Sequence, residues 1–329
     1  AGSYLLGTQT TIVGSQAGRF ASGSSNTFVG MSAGYGGTTS APYSSGESNV
    51  AVGKSAFAGF TTGYSNTVMG VNAGDAITTG YENTIIGQAA GTNLVGGNNN
   101  VMIGQLAGYA TTGVSGTVII GEQAGYTGNM TSDADGTVSI GSGAGKNITS
   151  GIGNVSVGMS ALALEDDGHY STAIGYQALS SQTGTSAEVG NTAIGFQAAD
   201  HLTTGRWSVF IGAHAGTAIT TGGYNVAIGY GAMRTPTGLT GNVAIGWNAL
   251  TSMSGSAGGK YNTAVGYGSG DNVTTADSLV VIGASAGSAI TTGNDNTAVG
   301  YLALNQVETS GSNTAVGHWA GYHTMGNSN

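Results

Sequence analysis

The sequence predicts an all-β protein, a parallel β-solenoid (β-roll) of about 18 coils with a 17-residue repeat, forming a single elongated domain over residues 1–329. Three observations carry this. A glycine preceded by an aliphatic residue recurs 18 times, from Gly14 to Gly317, and twelve of the seventeen intervals are 17 residues long. A fixed period of that size marks a repeat architecture in which each unit stacks on its neighbours. Glycine makes up 63 of the 329 residues and proline only two, which excludes collagen, where glycine takes every third place beside abundant proline. The chain is also 39% hydrophobic with regularly placed Val and Ile, unlike a disordered chain.

Each element of the repeat has a local reason. Four residues before the glycine stands Asn in 12 copies, for example Asn26 and Asn191. Stacked coils would line these amides into a structural ladder. Three residues before the glycine is always Thr or Val, and immediately before it Val or Ile in 17 copies and Met69 in the other. Branching at Cβ favours extended backbone, so these three positions predict a short strand whose first and third side chains share a face. The expectation is that this pair points inward. The glycine then turns the chain where a Cβ would be costly. Three residues later comes Ala in 17 copies and Ser269 in one, predicting an interior that admits only a methyl there. The remainder, often Ala-Ile-Thr-Thr-Gly as at 76–80, 218–222 and 289–293, reads as a second short strand and a turn. A helix is excluded by the density of Gly and β-branched residues. Coils about 4.8 Å apart would give a rod on the order of 85 Å.

Composition excludes several functions. Only six residues are basic, and Arg19, Lys54, Lys146, Arg206, Arg234 and Lys260 are scattered in a chain of net charge −9. No patch can neutralise a phosphate backbone, so nucleic acid is not an expected partner. Cysteine is absent, leaving no disulfide or thiol site. No apolar run reaches 18 residues, so no membrane span is expected. The chain opens Ala1-Gly2-Ser3 without a signal-like segment, which suggests a processed chain or a piece of a longer one.

With the flanking pair inside, the central strand residue should face outward. It is largely apolar: Phe28, Ala51, Val68, Ile85, Ala193, Phe210, Ala227, Ala244 and Ala298 among others. Such a stripe exceeds what soluble monomers usually expose, which predicts an inter-subunit face in a closed, cyclic homo-oligomer; the alternative is a tightly wound coil in which this face is interior as well. A parallel homotrimer would place three stripes about one axis, with Ala allowing close approach. The repeat Asn-Thr-Ala-Val-Gly-Tyr and its variants at 191–196, 225–230 and 262–267 resembles the head repeats of trimeric autotransporter adhesins and repeats in bacteriophage tail fibres. That resemblance covers almost the whole chain. It implies a left-handed parallel trimer of β-rolls at a cell surface or on a virion fibre, extracellular and without a cofactor.

No catalytic constellation is evident. The histidines (His169, His201, His214, His318, His323) lack metal-ligand spacing, and no metal site is expected. The acidic run Glu165-Asp166-Asp167 reads as a solvated turn. Asp133 with Asp135 lies in a longer loop, and the repeated calcium-solenoid motif is absent. The residue after the glycine is aromatic in many later copies: Tyr176, Phe196, Tyr230, Trp247, Tyr267 and Tyr301. Stacking would make these a ladder that packs together or meets sugar rings. Four intervals exceed 17 residues, with extra length at 36–46, 126–136, 180–190 and 251–260. Insertions in solenoids form loops, so Pro42 and Tyr43 join the aromatics as candidate receptor or glycan contacts; the third loop carries Glu188 and the fourth Lys260.

The expected function is a non-enzymatic fibre or adhesin segment for cell-surface attachment or host recognition, with itself and a host receptor or glycan as partners. The alternative is a structural filament of coils stacked end to end between molecules. A third reading, ice binding, comes from the recurring Thr-Thr pairs beginning at Thr61, Thr78, Thr111, Thr203, Thr220 and Thr291.

Overall fold

The computed structural model describes residues 7–38, 40, 43–184, 188–235, 237–254 and 258–323. It is all-β, a parallel β-solenoid. Its contacts divide it into two compact units, Ala1–His169 and Tyr170–Asn329. Unit one holds nine three-residue strands, from β1 (Thr11–Val13) to β9 (Val155–Val157), and unit two nine more, from β10 (Thr172–Ile174) to β18 (Thr314–Val316). Within each unit successive strands pair in parallel and in strict register: Thr27, Phe28 and Val29 lie beside Val50, Ala51 and Val52. Each coil thus contributes one strand, at the place and length the Thr/Val-x-Val/Ile pattern indicates.

The glycine after the strand is fixed by the stack. Every one of the 18 has φ between +127° and +139°, a region that a side chain disfavours. A Cβ added at Gly30, Gly87 or Gly175 would lie 2.6, 2.3 or 2.2 Å from the carbonyl oxygen of the same glycine one coil on. The glycine N–H in turn donates to the preceding coil, as from Gly53 to the Val29 carbonyl at 2.8 Å. A tight turn follows, with the Ala33 N–H donating to the Gly30 carbonyl at 3.3 Å. Its third residue, Ser32, has φ +57°, the mark of a type II turn. The alanine closing this turn is fully buried throughout, except at the last coil, where Ala320 is half-buried.

The two strand faces are opposite to the expectation. The central residue is the buried one: Phe28, Ala51, Val68, Ile85, Ala193, Phe210, Ala227, Ala244 and Ala298 are all inaccessible within the single chain. They are therefore core, not an inter-subunit face. The flanking Thr/Val and Val/Ile positions point out, half-buried or exposed. The reason lies six residues further along. Where the central residue is large, the residue four after the glycine is Gly: Phe28 with Gly34, Ile85 with Gly91, Phe210 with Gly216. Where it is Ala, that residue is often large and buried: Ala51 with Phe57, Ala173 with Leu179, Ala227 with Met233, Ala244 with Leu250, Ala298 with Leu304. A Cβ at Gly34 would come 2.4 Å from Phe28 Cδ1, and one at Gly216 2.3 Å from Phe210 Cδ1. One pocket of the coil interior is filled from either side, as close packing requires. The alanines fit opposite a leucine and need no threefold axis.

A second inner corner lies seven residues after the glycine, with Ile77, Leu94, Ile148, Ile219 and Ile290 fully buried. The Ala-Ile-Thr-Thr-Gly segments at 76–80 and 289–293 form bends, and the one at 218–222 makes only an isolated bridge from Thr221 to Gly238, so none is a second strand. The first threonine of each pair donates its hydroxyl to the next coil: Thr61 Oγ1 to the Thr78 carbonyl at 3.0 Å, Thr203 Oγ1 to Thr220 at 2.8 Å, Thr291 Oγ1 to Glu308 at 3.0 Å. Those hydroxyl protons serve the stack, so the first threonine of the pair has a structural role. Thr111 is buried instead.

The asparagine ladder forms as expected. Asn66 Oδ1 accepts the N–H and the Nδ2 of Asn83 at 3.1 and 3.0 Å, while Asn83 Nδ2 also donates to the Gly97 carbonyl at 2.8 Å. The same set repeats at Asn49, Asn66 and Asn100. Hydroxyls replace the amide where the repeat departs from Asn: Thr117 Oγ1 donates to Asn100 Oδ1 at 2.7 Å, and Ser208 Oγ accepts from the Asn225 N–H at 3.1 Å. All are buried, so each lost partner costs about 1–3 kcal/mol.

Size reciprocity across the interior gives a direct test. Leu250→Gly should cost about 2–5 kcal/mol by leaving a cavity, and Ala244→Phe about 1–3 by overpacking. The double variant reproduces the Phe210–Gly216 arrangement, so thermal unfolding should show it more stable than the sum of the two losses by at least 1 kcal/mol. Strictly additive losses would contradict the arrangement.

Candidate functional site

Two aromatic columns run along the outside of unit two. The first is built on the residue following the strand-end glycine, held at the second position of the turn. Tyr176 and Phe196 stack at 5.3 Å with planes 9° apart, Tyr230 and Trp247 at 6.5 Å and 13°, Trp247 and Tyr267 at 4.6 Å and 8°. Ala213 interrupts the row, and His214 fills the gap edge-on between Phe196 and Tyr230. Ala284 interrupts it again before Tyr301, which stacks on His318 at 5.3 Å. The ladder forms as predicted, and its rings are about half exposed. Its faces, however, are largely spent on one another, and edges are left for a partner. Sugar rings need faces, so this column serves packing better than glycan contact. The corresponding positions in unit one carry Met31, Lys54, Val71, Gln88, Gln105 and Glu122, which make no ladder.

Sequence reasoning missed the second column. The residue five before the glycine turns with φ near +57° in coil after coil, and it is Ser, Gly, Gln, Glu, Asn or Asp in most. In unit two it is instead Tyr170, Trp207, Tyr224 and Tyr261, with φ of +61°, +54°, +61° and +59°. Bulky residues rarely adopt this conformation, so aromatic side chains at a turn position that suits Ser, Gly or Asn were the available signal. Trp207 and Tyr224 lie 5.2 Å apart at 55°, splayed instead of stacked. Trp207 passes over Gly190, where a Cβ would meet its Cδ1 at 2.9 Å, and Tyr261 over Gly241 at 2.8 Å. A cavity of about 440 Å³ opens beside Trp207 and Tyr224.

The loop candidates fare differently. Tyr43 is half-buried, its ring 6.1 Å from Phe20, so it belongs in part to local packing. Pro42 lies outside the described residues. The 126–136 segment packs Met130 into the core and turns through a short 3₁₀ segment, Ser132–Ala134. Asp135 Oδ1 accepts the Ser115 N–H at 2.6 Å, a turn role. Glu165 corrects the expectation of a solvated acidic turn. It occupies the inner corner one coil after Ile148, fully buried, and its Oε1 accepts the Asp166 and Gly168 N–H groups at 3.0 and 2.7 Å.

Among the described residues no three His, Asp or Glu side chains converge as a metal site would require, and no helix is long and apolar enough to cross a membrane. Three aspartates five residues after the glycine share one electrostatic feature. Burial pushes the Asp75 and Asp271 carboxyls above the usual range, against the pull of nearby backbone N–H groups. Burial likewise raises Asp200, opposed by His201 and His214; its Oδ1 is 2.9 Å from His201 Nδ1 without forming a hydrogen bond. Comparison with protein-family models, with curated proteins and with solved structures returned no match.

A raised folded-state pKa means that the native chain holds its proton longer than the unfolded chain. The stabilisation is full below the ordinary aspartate pKa of about 3.9 and is lost as pH rises through the folded-state value. Asp271→Asn should therefore raise Tm at pH 7 and leave it nearly unchanged at pH 3 in a calorimetric series. An equal loss at both pH values would contradict this.

Proposed function

We propose that this chain is a non-enzymatic segment of an extracellular fibre or adhesin, working by attachment to a cell or host surface, and that it self-associates as a homotrimer. The observation that supports this is the outer strand face. The position before each glycine places Val13, Met69, Ile174, Ile194, Ile245, Ile282 and Val316 in the open, each exposed by a third or more. Beside it runs the rank of Thr and Val that opens each strand. Ranks of aliphatic side chains repeating along a sheet form the kind of patch that marks an interaction site. A face of this pitch is matched, residue for residue, by another face with the same repeat, so the fitting occupant is a second copy of the chain. The interface lies on the outward Val/Ile rank, and the Phe28–Ala298 set stays in the core. The resemblance of the Asn-Thr-Ala-Val-Gly repeats to adhesin heads and tail fibres points the same way.

A second reading, a filament of stacked coils, is favoured by the strict register. Every strand is Thr/Val-x-Val/Ile/Met, and the pairing that joins β17 (Thr297–Val299) to β18 is one that any coil could make with a coil of another molecule.

Native mass measurement with particle imaging separates them. Particles of three chains are expected. Replacing Ile194, Ile211, Ile228 and Ile245 together by Thr should release single chains with an unchanged β circular dichroism. Long polymers insensitive to these substitutions would favour the filament, and single chains in the wild type would overturn both.

A further inference from the structure

Six residues before the strand-end glycine, sixteen of the eighteen coils carry a side chain; Gly223 and Gly311 do not. At Gly223 the gap falls between Arg206 in the coil before and Thr240 in the coil after. The 440 Å³ cavity opens there, lined by Arg206, Trp207, Gly223, Tyr224 and threonine hydroxyl-bearing residues on either side. That volume falls in the range of about 300–1,000 Å³ typical of small-ligand clefts. The glycine is demanded by the backbone, since a Cβ at 223 would stand 2.5 Å from the Arg206 carbonyl oxygen. The notch is therefore a built feature of the stack.

Its chemistry is specific. Trp207 and Tyr224 diverge by 55° and are 43% and 58% exposed, so the two rings do not lie flat on one another as Tyr176 and Phe196 or Trp247 and Tyr267 do. The Arg206 guanidinium lies 5.9 Å from the Trp207 ring centre, and no carboxylate pairs with it among the described residues. The Arg206 and Tyr224 N–H groups are already used, by the Gly222 and Arg206 carbonyls at 3.2 and 3.1 Å. A phosphate would want a second cation beside the backbone donors, and the lining holds Arg206 alone. A planar carboxylate matches one guanidinium in a two-pronged contact. Aromatic faces beside it suit the apolar face of a pyranose ring.

We propose that this cleft binds a hexuronic acid residue of an acidic polysaccharide, the carboxylate on Arg206 and the ring against Trp207 and Tyr224. This rests on the surface-attachment function and names its ligand class. Calorimetric titration of the full chain with trigalacturonate should show saturable binding at one site per chain. The fully methyl-esterified trisaccharide should bind at least tenfold more weakly. Arg206→Asn should weaken the acid by tenfold or more, and Trp207→Ser should abolish binding. Both substitutions install residues that the same positions carry in other coils, Asn98 and Asn294 or Ser25 and Ser278, so folding is retained. Tyr267→Ala, in the stacked column, should leave affinity unchanged. No saturable binding, equal binding of the methyl ester, or indifference to Arg206→Asn would overturn the assignment. Trimers that fail to bind trigalacturonate would sink this site and leave the fibre reading standing; single chains that bind it would do the reverse.

Discussion

The absence of a side chain at one position per coil is the constraint on which the rest of the structure depends. Within each unit the strand-end glycines lie directly over one another, with φ near +130°, and each but the last faces the carbonyl of the next across a distance no Cβ can share. That contact sets the closeness of the coils. Once it is set, the strand hydrogen bonds, the buried amide ladder and the threonine hydroxyls fall into register together, because all of them link a residue to its counterpart one coil away. The repeat length is the geometric consequence. The longer intervals keep this register by placing their extra length in loops, where Met130 is still returned to the core, and the one shorter coil, Gly14 to Gly30, still pairs Thr11 with Thr27.

Much of this was legible in the residues. The period, the position and length of the strands, the methyl-sized corner at the recurrent alanine and the asparagine ladder all follow from side-chain types that permit few alternatives. The facing of the strand did not follow. With a side-chain period of two, a strand flanked by Thr/Val and Val/Ile reads equally well with either face inward. The deciding information was non-local, in the pairing of Phe28 with Gly34 and of Ala244 with Leu250. Single positions read down the column hide this. The second strand expected at Ala-Ile-Thr-Thr-Gly failed for a related reason: threonine there is chosen for a hydroxyl that reaches the next carbonyl, not for extended backbone.

The site was legible only in part. Aromatic residues after the glycine announced a ladder, but recurrence could not say that the rings would spend their faces on each other. Trp207 and Tyr224 were overlooked because their position looks like a plain turn, and because the cleft beside them is made by a side chain that is missing, at Gly223. Glu165 misled in the opposite sense. Next to two aspartates it resembles a solvated run, yet the coil geometry turns its carboxylate inward to hold two backbone N–H groups. In a solenoid the column decides environment more strongly than the neighbours in sequence do.

Alanine placed at two glycines of unit one tests the central constraint most directly. A Cβ at Gly87 would stand 2.3 Å from the Gly104 carbonyl oxygen, whereas one at Gly113 would have nothing within 4 Å. Thermal unfolding combined with amide exchange at Gly104 should show Gly87→Ala losing several kcal/mol and the protection of the adjoining coils, while Gly113→Ala stays within about 0.5 kcal/mol of the parent. Equal and small effects at both positions would contradict the account, because the coils would then be held apart by something other than the glycine column.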